Sequence, residues 1–473
     1  MSTSGIRPHR AHAFTGKHRF FMMMAICMGA FISHFTAGIV NVSLPQFTQF
    51  FQTDLGKVQW ITTGYLLVIT ALLPVMGKMG DRYGFRRIHN LGYVFFTISS
   101  ILLTFSTHIS VLLVLRMVQA VGAAMFQATN IALITLHVPK ENRGRALGIV
   151  STAVALGAMT GPILGGWIAE WFSWQWLFLI HVPAAAAATL LAFRYIPVGG
   201  QKRRSDSFDK VGALLFMVGI SSVIFGISNA SSWGWLSVQT IFIFAAALIT
   251  LLILLLWEQR QTFPFLPIRA LRISAVSYGL IVSCASFMLA NTLLVVIPFY
   301  LSGTAGLSPS TAGYMLAAYP ITLALAGPVA GYLSDRYGSR RFMFLGLGGM
   351  GSGFALLALY LGQLPVIGVL AVLALIGLGM GLIASPNNSF IMKHAPAEHI
   401  GSIGSMIALT RNAGMVIGAA LGLGVIPRGA GQPGQAELLA SYQSVFEINL
   451  YVCIGVITLL GYAIHRDRKR RSQ

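Results

Sequence analysis

Acidic residues are scarce in this chain. Twelve Asp and Glu stand against 32 Lys and Arg in 473 residues. Charged residues of both signs make up only 9%, where a soluble domain carries roughly a quarter. That shortage excludes an ordinary soluble protein. In its place are apolar runs of about 20 residues, each long enough to cross a hydrocarbon core. Cysteine is rarer still: Cys27, Cys284 and Cys453 all fall inside such runs. They offer neither a disulfide framework nor a Cys/His metal cluster. No glycine loop ending in Lys-Ser/Thr is present, so nothing points to nucleotide-driven work, and no catalytic constellation or cofactor motif suggests an enzyme.

The formal charge of +20 raises the question of nucleic acid, and its distribution argues against it. Fourteen spans are predicted near 20–42, 58–79, 91–107, 110–136, 146–169, 175–197, 211–229, 238–257, 275–302, 309–333, 342–361, 364–390, 402–426 and 443–464. On that topology Lys57 and Arg428 are the only basic residues on one side, and Arg116 and Arg411 lie within spans. The other 28 gather on the side that holds both termini. The positive-inside rule puts that side in the cytoplasm. The apolar run after Arg19 is too long for a signal peptide and is retained as span 1. The basic tail from His465 to Arg471 reads as a topology anchor that touches anionic lipid. The expected class is an all-α polytopic membrane protein.

One charged cassette occurs twice, as GKMGDRYGFRR at 77–87 and GYLSDRYGSRR at 331–341, with Asp81 and Asp335 254 residues apart. It falls after span 2 and again after span 10, so two spans separate the copies of a six-span unit. A glycine series repeats at nearly the same offset. Gly157, Gly161 and Gly165 in span 5 answer to Gly414, Gly418 and Gly422 in span 13, and Gly157 and Gly414 lie 257 residues apart. Glycines four apart line one helix face and admit a close neighbour. Placed between moving halves, such a ridge would also tune which state is favoured. Pro162 is expected to bend span 5. The division is therefore a first half at 1–200, two added spans with basic linkers at 201–272, a second half at 273–464, and a tail at 465–473.

These residues resemble the major facilitator superfamily, specifically its fourteen-spanning drug/proton antiporters, over nearly the whole chain. The carriers of the resemblance are GKMGDRYGFRR, LVLRMVQAVGAAM around Arg116, GAMTGPILGG in span 5 (Gly157, Gly161, Pro162, Gly165, Gly166), WQWLFLIHVP at 174–183, NVSLP at 41–45 and TRNAGMVIG at 410–418. The resemblance implies a major facilitator fold of fourteen helices arranged 6+2+6, with both termini cytoplasmic. It implies halves that rock to expose a central cavity to each side in turn. It also implies a monomer in the bacterial cytoplasmic membrane, working with the lipid bilayer, protons and a small-molecule substrate. No cofactor is implied beyond the proton gradient. The cassette would act as a latch, through Gly77, Asp81, Arg82, Gly84, Arg86 and Arg87 and through Asp335 and Arg336. The competing account of Arg86 and Arg87 is plain positive-inside charge.

Ionisable residues inside a membrane are candidates for function. Arg116, His34 and Arg411 qualify, and Glu447 in span 14 is the acid that comes nearest to a span's core. Asn41, Gln119, Gln127, Asn130, Asn291 and Asn387 are cavity candidates, each open to a packing role instead. Here the chain departs from its family. Aligning on NVSLP puts Thr36 where these antiporters carry an acid. Without a buried carboxylate the cavity favours neutral, zwitterionic or anionic compounds. The expected function is a secondary exporter of amphipathic small molecules such as drugs, by proton antiport. One alternative is an exporter or facilitator of anionic or lipid-like metabolites without proton exchange. Another is a non-transporting receptor or scaffold.

Overall fold

A computed structural model describes residues 16–139, 143–197, 208–261, 265–266, 273–395, 400–426 and 434–472. Among them are fourteen helices of fourteen residues or more, and no strand. They are α1 (Gly16–Phe50), α2 (Trp60–Tyr83), α3 (Phe85–Leu103), α4 (Ile109–His137), α5 (Arg143–Trp171), α6 (Val182–Tyr195), α7 (Lys210–Trp233), α8 (Val238–Arg260), α9 (Ser274–Phe299), α10 (Pro309–Tyr337), α11 (Ser339–Tyr360), α12 (Val366–His394), α13 (Ile400–Val425) and α14 (Gln435–Ser472). Twelve helices are long and apolar enough to cross a membrane. The two predicted spans outside that set correspond to α3, whose first turn carries Arg86 and Arg87, and to the glycine-rich α5. Both keep an exposed apolar face while packing on neighbours, α3 on α4 and α5 on α1 and α10.

Helices dominate because a lipid-embedded backbone must satisfy its own N–H and C=O groups. The connections alternate between two ends of the bundle. One, the cassette end, holds the turns at Gly84 and Gly338. The other, the far end, holds the turn from Phe50 to Trp60. At the cassette end the two copies share one geometry. Gly84 has φ 95° and ψ 131°, and Gly338 has φ 92° and ψ 129°. This is a conformation open to glycine and strained for other residues. The flanking arginine lies over the neighbouring tyrosine in each copy, with Arg82 over Tyr83 and Arg336 over Tyr337 at 5.6 Å. The copies differ as a matched pair. A Cβ on Gly80 would stand 2.4 Å from Phe85; the second copy has serine at both positions, Ser334 and Ser339.

The glycine contacts extend the repeat. Gly92 and Gly122 bring α3 against α4, a notional Cβ on either meeting the other's carbonyl oxygen at 2.7 and 2.6 Å. Gly346 and Gly379 do the same for α11 and α12, at 2.5 and 2.7 Å. Gly157 sits on the Phe31 carbonyl and Gly161 on that of Phe35, while Gly414 sits on Cys284 and Gly418 on Met288. The expected ridge between halves is corrected here. Gly157, Gly161 and Gly165 pin α5 to α1, and their partners pin α13 to α9, within each six-helix set. Gly166 alone faces across, against Pro309 and Gly313 of α10. Small residues serve this purpose because no hydrophobic force drives helices together in lipid, and close backbone approach must supply the attraction. The α5 helix runs unbroken through Pro162.

Hydrophobic residues of α1, α2, α4 and α5 share one buried cluster with those of α9 through α14, Phe47, Trp174 and Tyr300 among them. The residues that the first set contributes to it lie toward the far end, where the Glu170 carboxylate also accepts from the Ser310 N–H at 3.1 Å. Toward the cassette end, Val276, Leu280, Ile391, Ile403 and Met406 form a smaller cluster of α9, α12 and α13, while Leu409 and Val416 of α13 join the core of α1 through α8. The α7–α8 hairpin lies beside both sets, with α7 against α2 and α13.

Candidate functional site

The most buried cation lies in α4. Arg116 is 1% exposed, and its surroundings follow from four helices meeting near the far end. Nε donates to the Ile61 carbonyl of α2 at 3.3 Å. Nη1 donates to Thr36 Oγ1 of α1 at 3.1 Å and to Gln119 Oε1 one turn along α4, and Nη2 donates to the Thr36 carbonyl at 3.0 Å. The Tyr65 ring lies beneath the guanidinium, 4.0 Å from Cζ. Gln119 Nε2 then donates to Ser100 Oγ of α3 at 2.7 Å, and His181 Nε2, next to the start of α6, lies 3.1 Å from the same hydroxyl. Thr36, which the resemblance to drug/proton antiporters aligns with an acid, is thus the direct partner of Arg116. Among the described residues this guanidinium is held by neutral acceptors and a π face, without a carboxylate. Burying a charge is expensive unless hydrogen bonds replace water, and here four donations and a cation–π contact do so. Arg116 therefore locks α1, α2 and α4 together from inside the first six helices and does not face a cavity.

His34 and Arg411, one in each set, lie within Coulombic reach of one another. His34, on α1, is half-buried, with Nδ1 3.0 Å from the Ala30 carbonyl and 3.1 Å from Ser33 Oγ. Arg411, on α13, is half-buried and acts on the His34 imidazole by Coulombic interaction. Its guanidinium lies 5.6 Å from the Phe287 ring centroid on α9, and its Nε is buried without a hydrogen-bond partner. By the repeat that matches Phe31 with Cys284 and Phe35 with Met288, Phe287 occupies the position of His34 in the second set. Equivalent positions of α1 and α9 thus flank one cation. Such a group can attract an anionic or electron-rich ligand, and the aromatic face beside it can stack on one.

Most of the amide candidates prove to be ties between helices. Asn41 Oδ1 accepts from Thr62 Oγ1 at 2.9 Å, Asn291 Nδ2 donates to the Met415 carbonyl at 2.6 Å, and Asn387 Nδ2 donates to the Gly279 carbonyl at 2.9 Å. Gln119 is absorbed by the Arg116 network. Asn130 is buried with Oδ1 unpartnered, and Gln127 is half-buried. Glu447 is corrected as a coupling candidate: it is exposed on the outer surface of α14, accepting from Tyr451 Oη at 2.6 Å. A charge at an outer end costs little there, which is why its place near a span's end misled. Trp174 is buried among Phe47, Phe50, Phe51 and Phe178. In the cassette, Asp81, Arg82 and Arg87 are exposed, and Arg86 Nη2 donates to the Phe193 carbonyl of α6 at 2.7 Å. A Cβ on Gly77 would meet nothing within 4 Å. The Asp335 side chain lies outside the described residues, as do Arg428 and the linker basics Lys202, Arg203 and Arg204. Sequence reasoning missed Tyr65, Ser100 and Phe287, ordinary residues whose roles come only from what they face.

Repeated helix contacts, matching cassette turns and a buried arginine in the fourth helix are set beside known proteins. The Major Facilitator Superfamily profile matches residues 26–419 and, in a second match, 279–473. The chain belongs to the major facilitator superfamily. It is a polytopic membrane transporter and not an enzyme. It is similar to the riboflavin transporter RibZ of Clostridioides difficile (strain 630), 31% identical over 404 residues, which are 85% of this chain and 87% of that protein. It is also similar to the multidrug resistance protein Stp of Mycobacterium tuberculosis (strain ATCC 25618 / H37Rv), 28% identical over 84% of this chain and 74% of that one. The tetracenomycin C resistance and export protein of Streptomyces glaucescens is 27% identical over 85% and 74%. Among solved structures, a peptide transporter POT superposes with a TM-score of 0.68 at 16% identity, covering 96% of each chain. A bacterial homolog of the human lysosomal transporter Spinster, in an inward-facing and unoccupied conformation, gives 0.64 at 13% identity over 95% of this chain and 97% of that one. These two share the fold of this superfamily member.

Proposed function

We propose that this transporter is a 6+2+6 secondary exporter of amphipathic small molecules, working as a monomer in a bacterial cytoplasmic membrane with both termini inside. Substrate binds between His34, Arg411 and Phe287, and alternating access moves it outward against a proton. The observation that carries this reading is the cross-set pair. A cation whose guanidinium Nε lacks a hydrogen-bond partner among the described residues lies within Coulombic reach of the histidine of the other set, in a fold whose largest shared core draws its first-set residues from the far end. The positive-inside distribution makes the cassette end cytoplasmic, so this arrangement is the inward-facing state. A site built from Arg411, His34 and Phe287 favours neutral or anionic substrates over cationic ones, because none of these side chains is a carboxylate that could receive a cation.

The test is transport by purified full-length protein in proteoliposomes. The panel contains riboflavin and tetracenomycin C, the compounds named for two relatives, together with ethidium as a cation. Neutral or anionic compounds should move, faster with an imposed proton gradient. Arg411→Met removes one charge-assisted hydrogen bond worth about 1.5–3 kcal/mol, so apparent affinity should fall roughly 10- to 150-fold. Transport of ethidium alone, unaffected by Arg411→Met, would overturn the assignment. The uncompensated cation also favours a second reading, a carrier of anionic metabolites without proton exchange. Movement of anions with no response to the proton gradient would select it.

A further inference from the structure

Two carboxylates meet where the α7–α8 hairpin reaches the cassette end. Asp209 caps α7, accepting from the Gly212 N–H at 2.8 Å, and also accepts from the Trp257 indole N–H at 3.0 Å. Glu258, the residue after Trp257, is 3% exposed. Its Oε1 accepts from the Leu266 N–H at 3.0 Å, the Phe265 backbone also acts on the carboxylate, and Oε2 is buried with no hydrogen-bond partner among the described residues. The space is tight: a Cβ on Gly212 would lie 2.4 Å from Asp209 Oδ2 and 3.1 Å from Phe265 Cβ. Among the described residues, two charged groups from neighbouring elements lie within Coulombic reach of Glu258. One is Asp209, which precedes α7, and the other is Lys78, which lies within the first cassette on α2.

A buried carboxylate oxygen without a donor, beside a second carboxylate, is costly when ionised. Two remedies exist: a cation close by, or a proton that neutralises one group of the pair. Lys78 is the cation, and it is carried by a different element from the acids. The α2 helix packs on α7 and, across the two sets, on α13, so Lys78 and Glu258 stand on separate elements at a junction that both sets touch.

We propose that Glu258 and Asp209 form a proton-binding site that alternates between Lys78 and a proton, so that protonation from the cassette-end solution releases the hairpin's hold on α2. The only bond made or broken is one O–H on Glu258 Oε2, formed with a solvent proton and returned to solvent when Lys78 comes back. The site lies off the central path and sets when α2 is free to move. It goes beyond the exporter reading and stands or falls separately from it.

The experiment is a pH titration of purified full-length protein in lipid, followed by infrared difference spectroscopy of the protonated-carboxyl C=O stretch. As pH falls, a band should appear that is lost in Glu258→Gln and retained in Glu447→Gln. In Lys78→Met the pair keeps its acids and loses its cation, so the band should appear about one unit higher in pH. Hydrogen exchange of the 77–84 segment should quicken as the band appears in the wild type, and lose that step in Glu258→Gln. A band that survives Glu258→Gln, or no band in the wild type, would overturn the site. An unchanged titration in Lys78→Met would overturn the exchange with Lys78, even if Glu258→Gln failed to fold. None of these readouts requires transport, so failure of the exporter reading would show only in the proteoliposome panel.

Discussion

Removing Arg116 and Gln119 singly and together tests whether a carboxylate-free network holds the buried cation. In Arg116→Met the Gln119 Oε1 loses its donor in a site from which water is excluded, since Gln119 is 0% exposed. An orphaned buried acceptor costs about 1–3 kcal/mol. Part of that is offset, because the cost of keeping a guanidinium out of water disappears with the side chain. In Gln119→Leu the guanidinium loses a charge-assisted acceptor, about 1.5–3 kcal/mol, and Ser100 Oγ loses its donor. The double variant leaves neither partner of the Arg116–Gln119 contact stranded. Its destabilisation should therefore fall short of the sum of the single effects by about 1.5–3 kcal/mol, well above the scatter of about 0.5 kcal/mol seen for independent sites. Equilibrium unfolding of the purified chain in mixed micelles, followed by tryptophan fluorescence, gives the three values. Additivity within that scatter would refute the reasoning and leave Arg116 held by Thr36, the Ile61 carbonyl and the Tyr65 ring without help from Gln119.

Other outcomes follow from the same geometry. Gly157→Ala puts a Cβ 2.3 Å from the Phe31 carbonyl and Gly414→Ala one 2.1 Å from that of Cys284; each should cost about 1–3 kcal/mol of stability by overpacking, whereas Gly77→Ala, with open space around it, should be nearly silent in the same unfolding assay. Gly84→Ala meets no atom within 4 Å, so its cost is the positive φ alone, about 1–3 kcal/mol, read as a lower unfolding midpoint. Glu447→Gln should leave proton-driven transport within about twofold of the wild type, because a surface substitution of this kind shifts energies by about 0.5 kcal/mol or less. A tenfold loss would restore that residue as a coupling group.

Much of the fold was legible because membrane insertion writes it in coarse symbols. Apolar runs and basic loops located the helices, and the cassette at Asp81 and Asp335 exposed the repeat. The glycine series was legible as packing but misplaced. Spacing by four gives a helix face, and only the neighbour shows that Gly157 meets α1 of its own set while Gly166 meets α10. Arg116 and Thr36 were both picked out, one as a charge and one as a missing acid. Their contact was not, since 80 residues separate them in sequence. Asn41, Asn291 and Asn387 illustrate the limit on amides, whose roles depend on a partner carbonyl or hydroxyl in another helix. Glu258 was passed over because it lies past a predicted span's end. Its burial comes from the hairpin, Phe265 and Leu266 closing around it, which no periodicity encodes.

The central claim is that the two sets rock about the His34–Arg411 pair. Spin labels at Tyr83 and Tyr337, both exposed at the cassette end, and at Ser173 and Ser308, both exposed at the far end, read the two ends separately once Cys27, Cys284 and Cys453 are replaced. Distances are measured in lipid nanodiscs with and without the compound that the proteoliposome panel shows to be transported. The account predicts opposed changes: the Tyr83–Tyr337 distance shortens as the Ser173–Ser308 distance lengthens, and Arg411→Met abolishes both responses. Distances that stay fixed at both ends during active transport, or that change at one end alone, would contradict it.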